Sequence, residues 1–511
     1  MPRGTKSDAG ASLFILLGLS LDRDSSQPMS EQLSEQIATA ISRGSLAAGT
    51  PMPSSRILAD ELGCSRNTVK AAFEKLIAEG YLVGVARMNT VVAERAPDSY
   101  FFAARTAVPA EVPPPTPAIL SSRGARISTH RRPRCPQSAR PFEIGHPESE
   151  EFPFEVWVDL YRSHWAKPRR VVIDSADPRG YLPLRSSIAQ YLSTMRGLTC
   201  DAEDVIVTGG GFHAMDLFMR LALQPGDAVW IEEATAREIY ALVEANGLLA
   251  VDVPIDEQGM VVAEGIRRAP HARMAIVTPA HQHPLGMTMS LPRRQELLDW
   301  ATRSNAWVLE DDYDGEFRYT GTPLATLKSL DRDGRVIYLG TFSKSIFPSL
   351  RMGYMVMNSG LVSDFSSARD AIDLFPTMLE QPVMASFIGR GHFATHLRRM
   401  RQVYRERQSA LLLAMREQLS GLIEIQPDET GLHLLGFMTP KLLRRMSLEA
   451  LLTKAANAGI VLVPLKNFYR DGRDSAGLLL GFSSLPVGVI RDAVETLAAL
   501  IAAAPANGGQ A

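Results

Sequence analysis

Lys344 stands between Ser343 and Ser345, with Thr341 three residues before it and Arg351 seven after. A lysine that forms a Schiff base must be held still. Small hydroxyls and a guanidinium beside it suit a phosphate group. Pyridoxal 5′-phosphate carries both an aldehyde and a phosphate, so Lys344, Thr341, Ser343 and Arg351 are candidates to hold it. A lysine taken alone is ordinarily a solvated surface charge. The case rests on the residues around it.

Two further segments fit the same cofactor. Thr208 is followed by Gly209, Gly210, Gly211 and Phe212, after a β-type run and before a helical stretch. Such glycines let backbone N–H groups approach a phosphate, and a helix N-terminus favours its charge. A glycine run by itself also makes an ordinary turn. Leu309 leads into Glu310, Asp311, Asp312, Tyr313 and Asp314. An aspartate under a pyridine nitrogen keeps it protonated and strengthens the ring as an electron sink. Asp311 and Asp312 compete for that position, and an acidic turn is the plain alternative.

These residues need a scaffold. From about residue 141, β-type runs at 205–207, 229–231, 275–277, 307–309 and 336–338 alternate with helical stretches. That pattern predicts an α/β fold with a mainly parallel sheet covered on both faces. Ligands in such sheets bind at the carboxyl ends of the strands, where the motifs fall.

The N-terminal part follows another pattern. Leu33, Ile37 and Ile41 recur at helical spacing before Gly44. Ser54 or Ser55 can cap a second helix ending at Gly63, and Ser65 a third whose buried side holds Val69, Phe73, Leu76 and Ile77. Two β-type runs, 81–83 and 90–92, follow. Three helices and a hairpin make a winged helix-turn-helix, whose third helix enters the major groove. Arg66 can pair with guanine and Asn67 with adenine, while Ser65 and Thr68 suit phosphates.

Residues 97–140 hold Pro97, Pro109, Pro113, Pro114, Pro115, Pro117, Pro133 and Pro136. They are expected to be an extended, semi-rigid linker without a core. Its Arg123–Arg140 cluster is a solvated tether or a source of nonspecific phosphate contacts. Lys+Arg 54 nearly balances Asp+Glu 56, so bulk charge decides nothing about nucleic acid. The apolar fraction of 45% and charged fraction of 22% are those of a soluble globular protein. Three scattered cysteines, Cys64, Cys135 and Cys200, argue for a reducing compartment and against a metal site. The apolar stretch from Leu13 to Leu21 is too short to span a membrane, and a cytoplasmic location is expected.

The Lys344 segment resembles the lysine signature of fold-type I aminotransferases, with Ser349 where that family more often has glycine. The resemblance implies Asp311 under the pyridine nitrogen and Tyr313 at the phenolic oxygen. It sets His283 in the place of an asparagine that also meets this oxygen. It also marks two departures. Ala236 stands where a stacking tyrosine is usual, and residues 477–482 lack the arginine that binds a substrate carboxylate. Arg470 or Arg473 could substitute, or the ligand lacks an α-carboxylate. Surface positions are the plainer reading of both arginines.

Residues 20–96 resemble the GntR family, which implies DNA contacts by Arg56, Arg66, Thr68 and Lys70. Its wing tip departs from that family at Arg87, Met88 and Asn89. A winged helix (20–96), linker (97–140) and aminotransferase-like domain (141–505) with a smaller C-terminal α+β subdomain resemble the MocR-type (GabR-like) regulators. The resemblance implies a homodimeric, cofactor-binding transcription factor that senses a small amine, an amino acid or the cofactor itself and binds double-stranded operator DNA. The alternative is a pyridoxal-phosphate aminotransferase with an incidental winged helix, its turnover weakened by the two departures.

Overall fold

The computed structural model describes residues 19–84, 90–94, 120–129, 139–166, 177–321, 325–426, 428–473 and 475–503. Residues 13–18 of the apolar stretch, the wing tip at 87–89, Cys135, all eight linker prolines, and Arg131, Arg132 and Arg134 lie outside these residues. The chain divides into two compact units, Met1–Ala118 and Ile119–Ala511. Among the described residues no helix is long and apolar enough to cross a membrane.

In the first unit α1 (Met29–Ser42) buries Leu33, Ile37 and Ile41. The Ser54 side chain caps α2 (Ser55–Glu61), accepting from the Ile57 N–H, and Gly63 turns the chain at φ +61°. Ser65 caps α3 (Arg66–Ala78), accepting the Thr68 N–H at 3.1 Å. The buried stripe of α3 is Val69, Ala72, Phe73 and Leu76. Ile77, expected on that side, is 41% exposed. At 3.6 residues per turn it lies about 80° round from Val69, beyond the stripe. Strands β1 (Leu82–Val83) and β2 (Val91–Val92) pair antiparallel, Leu82 opposite Val92.

In the second unit a seven-stranded sheet holds β3 (Val205–Thr208), β4 (Ala228–Glu232), β5 (Leu249–Val253), β8 (Met274–Val277), β9 (Trp307–Asp312), β10 (Val336–Thr341) and β11 (Gly353–Val356). Its order is β3-β11-β10-β9-β8-β4-β5, parallel except for β11, which runs against both neighbours. A hairpin of β6 (Ile255–Asp256) and β7 (Gly259–Met260) stands apart. Parallel strands covered on both faces need apolar residues throughout, and β3, β8 and β10 are buried almost end to end.

The helices, in chain order, begin with α4 (Ser122–Thr129), α5 (Phe154–Trp165), α6 (Leu182–Arg196), α7 (Gly211–Ala222) and α8 (Arg237–Ala245). They continue with α9 (Val262–Arg268), α10 (Leu291–Arg303), α11 (Leu327–Leu330), α12 (Ser359–Asp373), α13 (Gln381–Gly389) and α14 (His392–Leu419). The smaller C-terminal subdomain carries an antiparallel sheet, β12-β13-β15-β14: β12 (Ile423–Ile425), β13 (His433–Met438), β14 (Val463–Pro464) and β15 (Gly477–Gly481). With it go α15 (Pro440–Leu443), α16 (Leu448–Asn457) and α17 (Val487–Ala502), the last packed along α14.

One linker segment differs from the expected extended chain. Residues 122–129 form α4, which packs on α8. Ser121 accepts the Gly124 N–H at 3.1 Å, as a cap does, and no proline falls between Pro117 and Pro133.

Candidate functional site

β10 delivers Lys344. Its Nζ donates to the Gly145 carbonyl at 2.9 Å, and Gly145 has φ +86°. A Cβ at Gly145 would lie 3.3 Å from Nζ. Sequence reasoning missed Gly145, which sits 199 residues from the lysine.

β9 separates the two rival aspartates. Successive strand residues face opposite sides. Asp312 is buried against Arg196 and accepts the Tyr338 hydroxyl at 2.6 Å. Asp311 is half-buried on the other side, opposite Leu339 of β10. Burial, followed by the charges of Asp312, Asp314 and Glu232, pushes its carboxyl up to about 7, with Lys344 pulling the other way. Lys344 and Asp311 therefore share one side of the sheet edge.

The glycine turn leaves β3 and opens α7. Gly210 caps the helix at φ +101°, and a Cβ there would come 3.4 Å from the Arg351 guanidinium. Arg351 itself holds a left-handed backbone, φ +47°. Gly353 matters as much. A Cβ on it would sit 3.0 Å from the Gly210 Cα, so its bareness lets the turn approach β11. The Gly209 N–H donates to His213 Nδ1 at 2.9 Å, and His213 Nε2 lies 3.1 Å from Asp373. The Ser343 N–H donates to Thr341 Oγ1 at 3.2 Å. Phe212 packs its ring into the apolar cluster around Ile206 and Phe218.

On the far wall the loop after β8 carries His281 and His283. The Tyr313 hydroxyl lies 3.0 Å from His281 Nδ1, and the His283 ring is 5.4 Å from the Tyr313 ring. His283 Nδ1 is buried and meets no hydrogen-bond partner among the described residues. Burial, then the charges of His433, Lys344 and His281, hold its pKa well below the ordinary value, so the ring is neutral and able to donate. The loop after β4 is fastened to the C-terminal subdomain, Thr235 N–H donating to the Phe468 carbonyl at 3.0 Å. Ala234 joins Leu465, Phe468 and Leu479 of β15 in an apolar cluster. Neither Arg470 nor Arg473 is brought there. Arg473 pairs with Glu233 at 2.8 Å over the Tyr469 ring, and Arg470 lies over Tyr240.

In the first unit Arg56, Arg66, Asn67 and Lys70 are exposed and Thr68 half-buried. Arg66 Nε donates to Ser55 Oγ at 3.3 Å, and Ser65 Oγ is 2.9 Å from Thr68 Oγ1. The N-terminal turn of α3 thus presents donors and an amide together.

Residues 149–476 match the aminotransferase class I and II family, and residues 29–92 match bacterial regulatory proteins of the gntR family. The probable rhizopine catabolism regulatory protein MocR of Rhizobium meliloti is 35% identical over 490 residues, covering 96% of this chain and 97% of that protein. The pyridoxine biosynthesis transcriptional regulator PdxR of Corynebacterium glutamicum is 30% identical over 456 residues, covering 89% and 91%. Among solved structures, a Pyrococcus horikoshii kynurenine aminotransferase in complex with PMP matches at TM-score 0.64 and 25% identity, covering 80% of this chain and 98% of that one. The α-aminoadipate aminotransferase LysN of Thermus thermophilus, complexed with N-(5′-phosphopyridoxyl)-L-leucine, matches at TM-score 0.63 and 25% identity, covering 75% and 95%. Matches of this length to regulators, with both domains present, favour the regulator over an aminotransferase with an incidental appendage. The chain belongs to the MocR subfamily of GntR-type transcriptional regulators, a helix-turn-helix unit joined to an aminotransferase-like domain.

Proposed function

We propose that this regulator holds pyridoxal 5′-phosphate beside Lys344 and reads a small amine there, changing its affinity for operator DNA. What supports this most is the convergence on one sheet edge of Lys344, the half-buried Asp311 and the close approach of Gly210 to Arg351. The unpartnered His283 Nδ1 is a further fit, because a buried polar atom without a partner is costly unless a ligand satisfies it. The backbone N–H groups of Gly210, Gly211 and Phe212, with Thr341, Ser343 and Arg351, take the phosphate. Asp311 takes the pyridine nitrogen, and Tyr313 with His283 the phenolic oxygen. Bound there, the cofactor supplies an aldehyde that condenses with Lys344 and exchanges onto free amines. An amine shifts the regulator only so far as the two DNA-binding states differ in affinity for it.

Leu479 packs with Ala234, Leu435, Leu465 and Phe468, and such apolar surroundings favour amines whose acid group is distant or absent. The test is a gel shift of cofactor-loaded protein on the intergenic DNA adjoining its gene, with an amino-donor panel. One donor is expected to change DNA affinity about 5- to 150-fold. Fast keto-acid production with no DNA shift would return the protein to the aminotransferases. Arg66→Ala is expected to cost about 1–3 kcal/mol on operator DNA, with relaxed preference at one base. Lys70→Ala should weaken all sequences alike and lower the salt slope by about one. Equal losses on operator and random DNA for Arg66→Ala would count against its base contact.

We also propose a homodimer formed through the large domains. Ile372, Leu374, Phe375 and Leu379 are 43%, 60%, 39% and 46% exposed, an unusual run beside Asp373, the partner of His213 at the glycine turn. A second copy seated there would cover the run and border the phosphate side of the site. Sedimentation of Leu374→Glu is expected to give half the wild-type mass. An unchanged mass would place the dimer contact elsewhere.

A further inference from the structure

His281, Asp314 and Asp428 form a network that holding the cofactor does not by itself require. His281 lies on the loop after β8, Asp314 just past β9, and Asp428 between β12 and β13 of the C-terminal subdomain. His281 is 3% exposed. Its Nδ1 is 2.7 Å from Asp314 Oδ2 and its Nε2 is 2.8 Å from Asp428 Oδ2. Two carboxylates claim both ring nitrogens, so both act as donors and the ring is cationic. Burial opposes that charge, yet the carboxylates hold the pKa up at about 10. Among the described residues, the other titratable groups facing it are Tyr313, His283 and His433. The His433 ring is 6.1 Å away and is kept neutral by burial and then by His281.

The surroundings are built around this clamp. A Cβ at Gly431 would fall 2.3 Å from His281 Cε1, and one at Gly286 would fall 2.7 Å from Asp428 Oδ2. Asp428 is itself fixed. Its Oδ1 accepts the Thr430 N–H at 2.9 Å and the Thr430 hydroxyl at 2.8 Å, and its carbonyl accepts Gln408 Nε2 of α14 at 3.1 Å. The single Nδ1–H is given to Asp314 Oδ2, the nearer acceptor, and the Tyr313 hydroxyl, 3.0 Å from the same nitrogen, is also hydrogen-bonded to Asp314. With the His281 cation engaged on Asp314, two donors compete for that carboxylate, and the Tyr313 hydroxyl can turn to another acceptor.

We infer that His281 is a positioning residue. Clamped between Asp314 and the C-terminal subdomain's Asp428, it orients the Tyr313 hydroxyl toward the phenolic oxygen of the bound ring. The orientation of Tyr313 thereby depends on the seating of the C-terminal subdomain against the β8 loop. The inference rests on the cofactor reading above, and its test separates the two.

The first arm uses cofactor-free protein with nitrogen-labelled histidine. One imidazole is expected to remain protonated on both nitrogens at pH values where an unperturbed histidine, of pKa about 6.5, has lost its charge. Asp428→Asn is expected to lower the pH at which that ring loses its charge, because Asp314 alone then supports it. Ten histidines that all titrate normally would overturn the clamp. The second arm follows the visible absorbance of loaded protein against pH. A Tyr313 hydroxyl held at the ring oxygen stabilises its anionic form and disfavours proton uptake there. His281→Gln should therefore raise the midpoint by on the order of one unit. In a Tyr313→Phe background the same change should add nothing, an outcome that a merely structural role does not produce. Equal midpoints in coloured wild type and His281→Gln would overturn the inference. A wild type that takes up no colour removes the cofactor reading alone, and the clamp then stands or falls on the nitrogen spectrum.

Discussion

Lys344→Ala is expected to purify colourless where the wild type is yellow, and to lose every response of DNA affinity to amines. Lys344 is the amine whose charge acts on Asp311, and alanine removes it. The proposed phosphate and ring contacts would remain, so cofactor added to the variant should be held without a covalent bond and released on dialysis. Borohydride treatment of the wild type is the companion measurement. It should fix the cofactor to the peptide that contains residue 344, read by mass spectrometry. A label on another lysine, or a yellow alanine variant after dialysis, would end the account of this site.

Arg196→Met is expected to lower the stability of the aminotransferase-like domain by about 3–5 kcal/mol, the usual result of removing one partner of a buried ion pair. Arg196 and Asp312 are 6% and 4% exposed, and the guanidinium also donates to the Gly315 carbonyl at 2.8 Å. Without it Asp312 keeps only the Tyr338 hydroxyl. Glu310 and Glu316 crowd the same region, both pushed up to about 7 by burial and then by Asp312. The sign with pH follows. Arg196 also holds the Glu316 carboxyl down against burial, so without it that folded pKa rises further, and the variant gains relative stability as pH falls and loses it as pH rises. Urea unfolding at mildly acidic and mildly alkaline pH should show the larger deficit on the alkaline side. The double variant Arg196→Met with Asp312→Leu should recover most of the loss. A single variant as stable as wild type at both pH values would refute the pairing's importance.

Local signals carried much of this protein into the open. The five expected strand runs all lie in the central sheet, because fully buried parallel strands must be apolar and the sequence shows it directly. The caps at Ser54 and Ser65 were equally local. The choice between Asp311 and Asp312 was not, because it depends on Arg196 and Tyr338, which lie 116 and 26 residues from Asp312. Asp428 is 147 residues from His281, and nothing near either residue announces the pair. The faint signal was two glycines, Gly286 and Gly431, each at positive φ and each pressed against the network. Strand β11 escaped notice for a different reason. Four residues beginning with glycine carry little periodicity, yet their reversed direction is what seats Arg351 beside the glycine turn.

That reversed strand divides labour along the sheet edge. On the proposed reading, the grip on an anion would come from three adjacent strands, β3, β11 and β10, laddered together by backbone hydrogen bonds. Discrimination between ligands would fall to the opposite rim, where the loops after β4 and β8 meet Phe468 and Leu479. A regulator built this way could exchange residues on that rim and acquire a new signal while its anchor stays untouched.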